Sequence, residues 1–556
     1  MSKKIFTAQS VEELQFILNK IDKLAICLPL NLSTQIYCIK HKIQFYNPID
    51  FIDNNFYKDA LIESEKLLEK LSFGELKFES HIKEYKAFIR FRFFSAIFLI
   101  EIIEKINECE KIDEIFISGW NRYEDQYSNN NYFVSDLISN LISNIKVSKL
   151  SNDETQKELL SEEKNYTFRN KKIDTKKNYV LLNNTGYNFK RIIFFLLKKN
   201  YYVLVPIFGK ISFLKKLILR IFKVICVEFD MHKSEKKNSF YIPKIEFFYK
   251  KRDLSKILNL RKEQELGNLM KLQNQSAIIN SLFNKTNIKL VITNATRGIH
   301  GYYIEKAKEK NITSICISHA SLSPFFNKFD KIYKNIIAEG VSTNNASVLA
   351  LQTKITKNFL KLNNSHNNVL DTGNLIFSET KNMKKKKILF AVTLRDFDCF
   401  LFLGIEMYYE FLDNLNLLNQ LAKKNNLDIL VKPHPSAFHC IKDLEKKFVN
   451  LKFTKKNISK VLKNVFVTIS FSSTVIEDSL CSKVPVILFD RWNRYKHCES
   501  EENIKKKNSP IYYVNKESDL IDCLKTLKDS DNLSFNDYVF SGNVKNNISN
   551  LINKFI

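Results

Sequence analysis

Two short stretches hold the residues best suited to chemistry. Lys432-Pro433-His434-Pro435 directly follows the apolar run Asp428-Ile429-Leu430-Val431. An imidazole and an ammonium at a strand's end suit a phosphate or a nucleotide. The prolines fix the loop and keep it from continuing as a helix. Further on, Thr468-Ile469-Ser470-Phe471-Ser472-Ser473-Thr474 leads from a strand into Val475-Ile476-Glu477-Asp478-Ser479-Leu480. Hydroxyls at such a junction cap a helix, or they join its free N–H groups in holding an anion. Glu477, one turn into the helix, can accept from ribose hydroxyls or a base, or it can simply complement the helix dipole. Each stretch alone also fits an ordinary turn or cap.

The surrounding pattern predicts what must position these residues. From Lys384 onward, short apolar strands (Ile388 to Val392, Asp428 to Val431, Val465 to Ile469, Val484 to Leu488) alternate with helical stretches. An earlier block repeats the rhythm: Tyr179 to Leu182, a turn containing Gly186, Tyr202 to Val205, Leu290 to Thr293 and Ser314 to Ile317. Such alternation implies parallel sheets covered on both faces. Two in tandem predict a cleft, with ligands at the carboxyl ends of the strands. A third strand–helix block occupies residues 1–150, and the polar, charged residues 151–177 read as a linker.

Taken together, KPHP, a strand ending in serines, S-S-T-x-x-E and then Lys483-Val484-Pro485-Val486-Ile487 resemble the donor-binding half of GT-B glycosyltransferases. The resemblance covers residues from about 385 to 495. It is closest to bacterial surface-polysaccharide enzymes: capsule Kdo transferases, HP-motif sialyltransferases and CDP-glycerol glycerophosphotransferases. In those families the HP histidine and the Ser/Thr cluster contact the donor's phosphate and sugar. The resemblance therefore implies donor contacts for His434, Ser472, Ser473 and Thr474. Many relatives carry Gly before the last strand, where this chain has Ser482-Lys483. Ser314 to Ala320 is similar to the segment in which a strand of these families ends in His-Gly, with His319 in place and Ala320 instead of Gly.

The implied fold is α/β and GT-B-like: two Rossmann-type parallel-sheet lobes facing a cleft, plus an extra N-terminal α/β region. The expected divisions are an N-terminal region at 1–150, an acceptor lobe at 175–380 and a donor lobe at 384–556. The implied reaction is metal-independent transfer of a sugar from a nucleotide-sugar donor to a glycan or lipid-linked acceptor, with no cofactor. Lys432, Arg395 and Arg297 are further phosphate candidates, and Glu477 is a ribose candidate. His319, then His300, would serve as base, because an unperturbed imidazole titrates near neutral pH. His434 would assist the departing phosphate. A polyol-phosphate transferase, a nucleotide-sugar 2-epimerase and a non-catalytic glycan- or nucleotide-binding protein remain open on the same architecture.

Composition narrows the partners. The formal net charge is +27. It fits an anionic partner, or a chain that is simply rich in Lys, Asn and Ile and poor in Gly. The basic residues are interleaved with acids and form no isolated tail, so nucleic acid is not expected. The ten cysteines include no C-x-x-C pair. Reduced thiols in a cytoplasmic protein fit them better than a disulfide scaffold or a metal site. No apolar run reaches the roughly 18–20 residues of a membrane span. Residues 210–223 place Lys210, Lys215, Lys216, Arg220 and Lys223 among Ile211, Leu214, Leu217, Ile218 and Ile221 at helical spacing. Such a helix can lie on an anionic membrane face or pack its apolar stripe on a sheet.

Overall fold

The computed structural model describes the chain except residues 1–2, 22–23, 53, 121–133, 152–163, 169–172, 175, 187–188, 208–211, 234–240, 319–320, 343–344, 364–367, 380–386, 393–407, 492, 494 and 531. Three main sheets organise it. The first contains β1 (Lys3–Ala8), β2 (Ile26–Pro29), β3 (Ile112–Ile117) and β4 (Lys146–Lys149), in the order β2-β1-β3-β4. The second contains β5 (Lys164–Phe168), β6 (Asn178–Leu182), β7 (Tyr202–Ile207) and β8 (Val224–Lys233). After a hairpin of β9 (Phe248–Tyr249) and β10 (Arg252–Asp253), it adds β11 (Asn287–Thr293), β12 (Thr313–Ile317), β13 (Val348–Leu351) and β14 (Val369–Asp371). Its order is β14-β13-β12-β11-β6-β7-β8-β5. The third contains β15 (Lys387–Ala391), β16 (Ile429–Lys432), β17 (Lys452–Phe453), β18 (Val465–Ser470), β19 (Val486–Phe489) and β20 (Ile511–Val514), in the order β17-β16-β15-β18-β19-β20.

Every pairing in these three sheets is parallel except β5 with β8. The reason lies in the strands themselves. Val348–Leu351, Val486–Phe489 and Ile511–Val514 are buried throughout, so both faces must be covered, and crossover helices cover them. The linker expected over 151–177 is corrected in part. Lys164–Phe168 forms an edge strand antiparallel to β8; its Tyr166-Thr167-Phe168 suits a strand despite the charged neighbours.

The N-terminal block meets the rest mainly through the long helix Glu79–Glu110, which packs against the helices Ser255–Lys285 and Gly298–Glu309, and also through the helix Asn54–Lys70 against Lys328–Ala338. The last helix, Val544–Asn553, returns to the second sheet's lobe and packs on Lys190–Lys198. Val544, Ile548, Leu551 and Ile552 share a core with Val180, Leu182 and Ile292. Segments following β12 and β14 meet segments following β18 and β19, so the two larger sheets point their carboxyl ends at each other. The architecture is α/β and GT-B-like: two parallel-sheet lobes facing a cleft, with an added N-terminal α/β unit. Among the described residues, no helix is long and apolar enough to cross a membrane.

Candidate functional site

The third sheet changes direction at β15: β16 lies on one side of it and β18 on the other. Loops leaving strands at such a reversal part and open a crevice. Lys432 ends β16 and His434 follows it, while Ser470 ends β18 and Ser472 to Thr474 follow it. Lys432, His434 and the hydroxyl cluster therefore occupy the two shoulders of one crevice, roughly 10 Å apart at about 4.8 Å per strand.

Lys432 and His434 are half-buried, Ser473 is buried and Thr474 is exposed. Burial holds the Lys432 ammonium below the usual lysine range, opposed by the Asp478 carboxylate. Its Nζ lies 5.4 Å from the centre of the Phe438 ring. The loop is shorter than the prolines led us to expect: directly after His434 the chain enters a 3-10 helix, Pro435–Cys440, with Ala437 N donating to His434 O at 2.9 Å, and continues into the helix Ile441–Lys447, since Pro435 at a first helical position costs no hydrogen bond. That turn also touches the N-terminal block, where Ser33 Oγ is 3.1 Å from His439 Nε2.

Glu477 and Asp478 are both buried and both reach the opposite lobe. Glu477 Oε1 accepts from Ser321 N at 2.9 Å and lies 2.9 Å from His497 Nε2. Its Oε2 is buried and makes no hydrogen bond among the described residues. Half of the carboxylate expected to face a ribose is thus committed to protein, and half is left over. Asp478 Oδ1 accepts from Ser378 N at 2.6 Å, and Ser482 Oγ donates to Ser378 O at 3.0 Å. Burial pushes the Asp478 carboxyl up to about 6, against the lowering effect of the Ser378 hydrogen bond. Lys483, in the turn before β19, adopts φ +55°, the left-handed conformation that a Gly would enter without strain.

The second sheet reverses direction between β6 and β11. There Asn183 Nδ2 donates to Asn294 Oδ1 at 2.7 Å. This pair escaped sequence reading because asparagines in loops 111 residues apart carry no spacing signal. Arg297, expected to face the cleft as a phosphate ligand, donates from Nη2 to Ile336 O at 2.8 Å and packs against Gly340. Its guanidinium is partly occupied with structure. His300 keeps some exposed surface on its helix, but the protein around its ring pushes its pKa down to about 4. An imidazole this acidic is neutral at pH 7 and weak as a base. His319 and Arg395 lie outside the described residues. Ser321, shortly after His319, touches the opposite lobe through Glu477.

Two further features were not legible in the sequence. A fully buried ion pair, Lys334 with Asp330 at 2.6 Å, stands beside the interlobe contact. Lys334 also donates to Ser323 Oγ at 2.7 Å and to Pro324 O at 2.9 Å, and Ser323 Oγ donates to Lys496 O at 3.2 Å. Beyond Lys496, a polar cavity of about 540 Å³ opens between Asn493, Lys496, Glu502, Tyr513 and Asn515, on the β19–β20 side of the lobe.

No protein-family model matches the chain, and no curated protein matches it in sequence. Among solved structures it is similar to UDP-GlcNAc 2-epimerase from Methanocaldococcus jannaschii, at 14% identity and TM-score 0.41, over 68% of this chain and 99% of that one. It is also similar to the Neisseria meningitidis UDP-GlcNAc 2-epimerase bound to UDP-GlcNAc (13%, 0.42, 68% and 99%). A third is a variant of S. aureus TarM in complex with fondaparinux, α-GlcNAc-glycerol and UDP (11%, 0.36, 68% and 97%).

Proposed function

We propose that this chain is a glycosyltransferase that moves a sugar from a CMP- or UDP-linked donor to a surface-polysaccharide or lipid-linked glycan. In this reading residues 384–556 bind the donor, residues 175–380 receive the acceptor and residues 1–150 support the acceptor side. The observation that carries it is the placement of Lys432 and His434 at the carboxyl end of β16 and of Ser472, Ser473 and Thr474 at that of β18, the strands on either side of β15. Breaking the anomeric bond leaves negative charge on the departing phosphate. An ammonium, an imidazole N–H and hydroxyls can stabilise that charge in place. Glu477 Oε2, buried and without a described partner, suits a ribose hydroxyl as donor. For an inverting transfer the acceptor proton goes to His319, since His300 is too weak a base.

The test is incubation with labelled CMP-, UDP- and CDP-linked donors, with and without a glycan acceptor. Acceptor-dependent nucleotide release with sugar transfer supports the proposal. Transfer of a polyol phosphate, inversion of the sugar without acceptor, or binding without turnover would each replace it.

A further inference from the structure

The crossover helix Phe213–Ile221 joins β7 to β8, and such helices ordinarily turn their apolar stripe onto the sheet. This one does the reverse. Phe213, Leu214 and Ile221 are 80%, 68% and 72% exposed, and Leu217 and Ile218 are about half exposed. At 100° per residue these five side chains fill one continuous arc of roughly 140°. Leu219, on the opposite side, packs against the lobe's core, and so does Phe222, which follows the helix at the edge of the arc. On the neighbouring helix Lys190–Lys198, Phe194 is 52% exposed and stacks edge-on against Phe222 at 5.3 Å, extending the patch. Scattered exposed apolar residues need no explanation, but a contiguous face of this kind marks a docking surface.

Charge decides what docks there. Lys190 to Lys223 contain nine basic residues and no acidic one. Lys216 and Arg220 border one side of the apolar arc, and Lys215 borders the other. A second copy of the chain in a two-fold contact would set the same basic rim against itself. A bilayer with anionic headgroups offers acyl chains to the arc and phosphates to its rim. We propose that this helix, with Phe194, seats the protein on an anionic lipid surface. The helix follows the carboxyl end of β7, so the seat adjoins the side of the lobe that faces the cleft. The inference is independent of the reaction catalysed.

The test is flotation of the full chain with phosphatidylcholine vesicles, with and without phosphatidylglycerol, at low and high salt. Two variants accompany it: Leu217→Ser with Ile221→Ser, and Lys215→Gln, Lys216→Gln with Arg220→Gln. The wild type should float only with the anionic vesicles and be released by salt. Removing three surface charges should weaken partitioning about a hundredfold, and the serine variant should lose it as well. Leu217, Ile221, Lys215 and Arg220 are exposed and Lys216 is half-buried; melting curves of both variants beside the wild type confirm that each is folded. Wild-type protein that stays unbound at low salt, or a charge variant that floats equally well, would overturn the proposal. So would a dimer that the serine variant dissolves.

Discussion

Glu477 Oε1 sits 2.9 Å from His497 Nε2 and accepts the Ser321 N–H at the same distance, so one buried oxygen joins the two lobes. Removing the carboxylate leaves two buried donors without an acceptor, at about 1–3 kcal/mol each. Glu477→Ala should therefore lower stability by roughly 2–6 kcal/mol, measured by urea unfolding. Glu477→Gln retains one acceptor and should cost less. Nucleotide added to the wild type should raise the melting temperature, and that rise should disappear in Glu477→Gln if Oε2 meets the ribose. An equal rise in both would remove Glu477 from the donor site.

Much of the architecture was legible because burial on both faces leaves a strong trace. Asp428 to Val431 and Val465 to Ile469 read as short apolar strands separated by helices, and the strands form at Ile429–Lys432 and Val465–Ser470. The two shoulders of the β15 crevice were legible for the same reason, since each follows directly on a strand. Lys164–Phe168 was not, because an edge strand needs only one partner and its composition resembles its polar surroundings. The second role of Glu477 was hidden too: its partners Ser321 and His497 are set by how the lobes meet. The outward turn of Phe213–Ile221 could not be decided from periodicity, which gives the stripe but not its direction.

His434 stands on the other shoulder from the hydroxyl cluster, at the end of a turn that Pro435 fixes. A single positioned donor to a developing anion is worth about 2.7–4 kcal/mol. His434→Ala should lower turnover at least about tenfold while leaving the melting curve in place, because the ring is only half-buried. Steady-state kinetics beside thermal melting would check this. Unchanged turnover with unchanged melting would show that the loop is an ordinary turn.

Asp478 gives a pH signature. Its folded pKa is raised to about 6 from an ordinary 3.8. Between roughly pH 4 and 6 the folded chain holds a proton that the unfolded chain has released, so this group's contribution falls as pH rises through that window. At neutral pH the ionised group costs on the order of 3 kcal/mol. Asp478→Asn keeps an oxygen for Ser378 N and carries no charge. It should be more stable than the wild type by about 2–3 kcal/mol at pH 7, with the difference vanishing by about pH 4. His81 and His300, each lowered to about 4 by burial, act in the opposite sense. Their stabilisation is full above about pH 6.5 and is lost as pH falls toward 4. Subtracting the two proteins' pH profiles cancels the histidines and isolates Asp478. A difference independent of pH would show that Asp478 ionises normally.

The Asp330–Lys334 pair supports the same interlobe contact from the second sheet's lobe. Asn327 caps the helix Lys328–Ala338, and its Oδ1 accepts from Asp330 N at 2.9 Å, which fixes the acid in the first turn. Lys334 lies one turn on, with neither side chain more than 2% exposed. Burial pushes the Asp330 carboxyl up and the Lys334 ammonium down, and each is partly restored by the other's charge. Desolvation is therefore the larger effect for both, as expected of a buried pair. Lys334→Met strands the acid and removes the donors to Ser323 and Pro324, and should cost about 3–5 kcal/mol. Adding Asp330→Asn removes the stranded charge and should recover most of that loss, so the double-mutant cycle should return a coupling of about 2 kcal/mol or more. Because Ser323 Oγ also donates to Lys496 O across the lobes, the single variant should weaken nucleotide binding and the double variant should restore it in part. Additive effects on unfolding free energy would mean that the two charges do not sense each other.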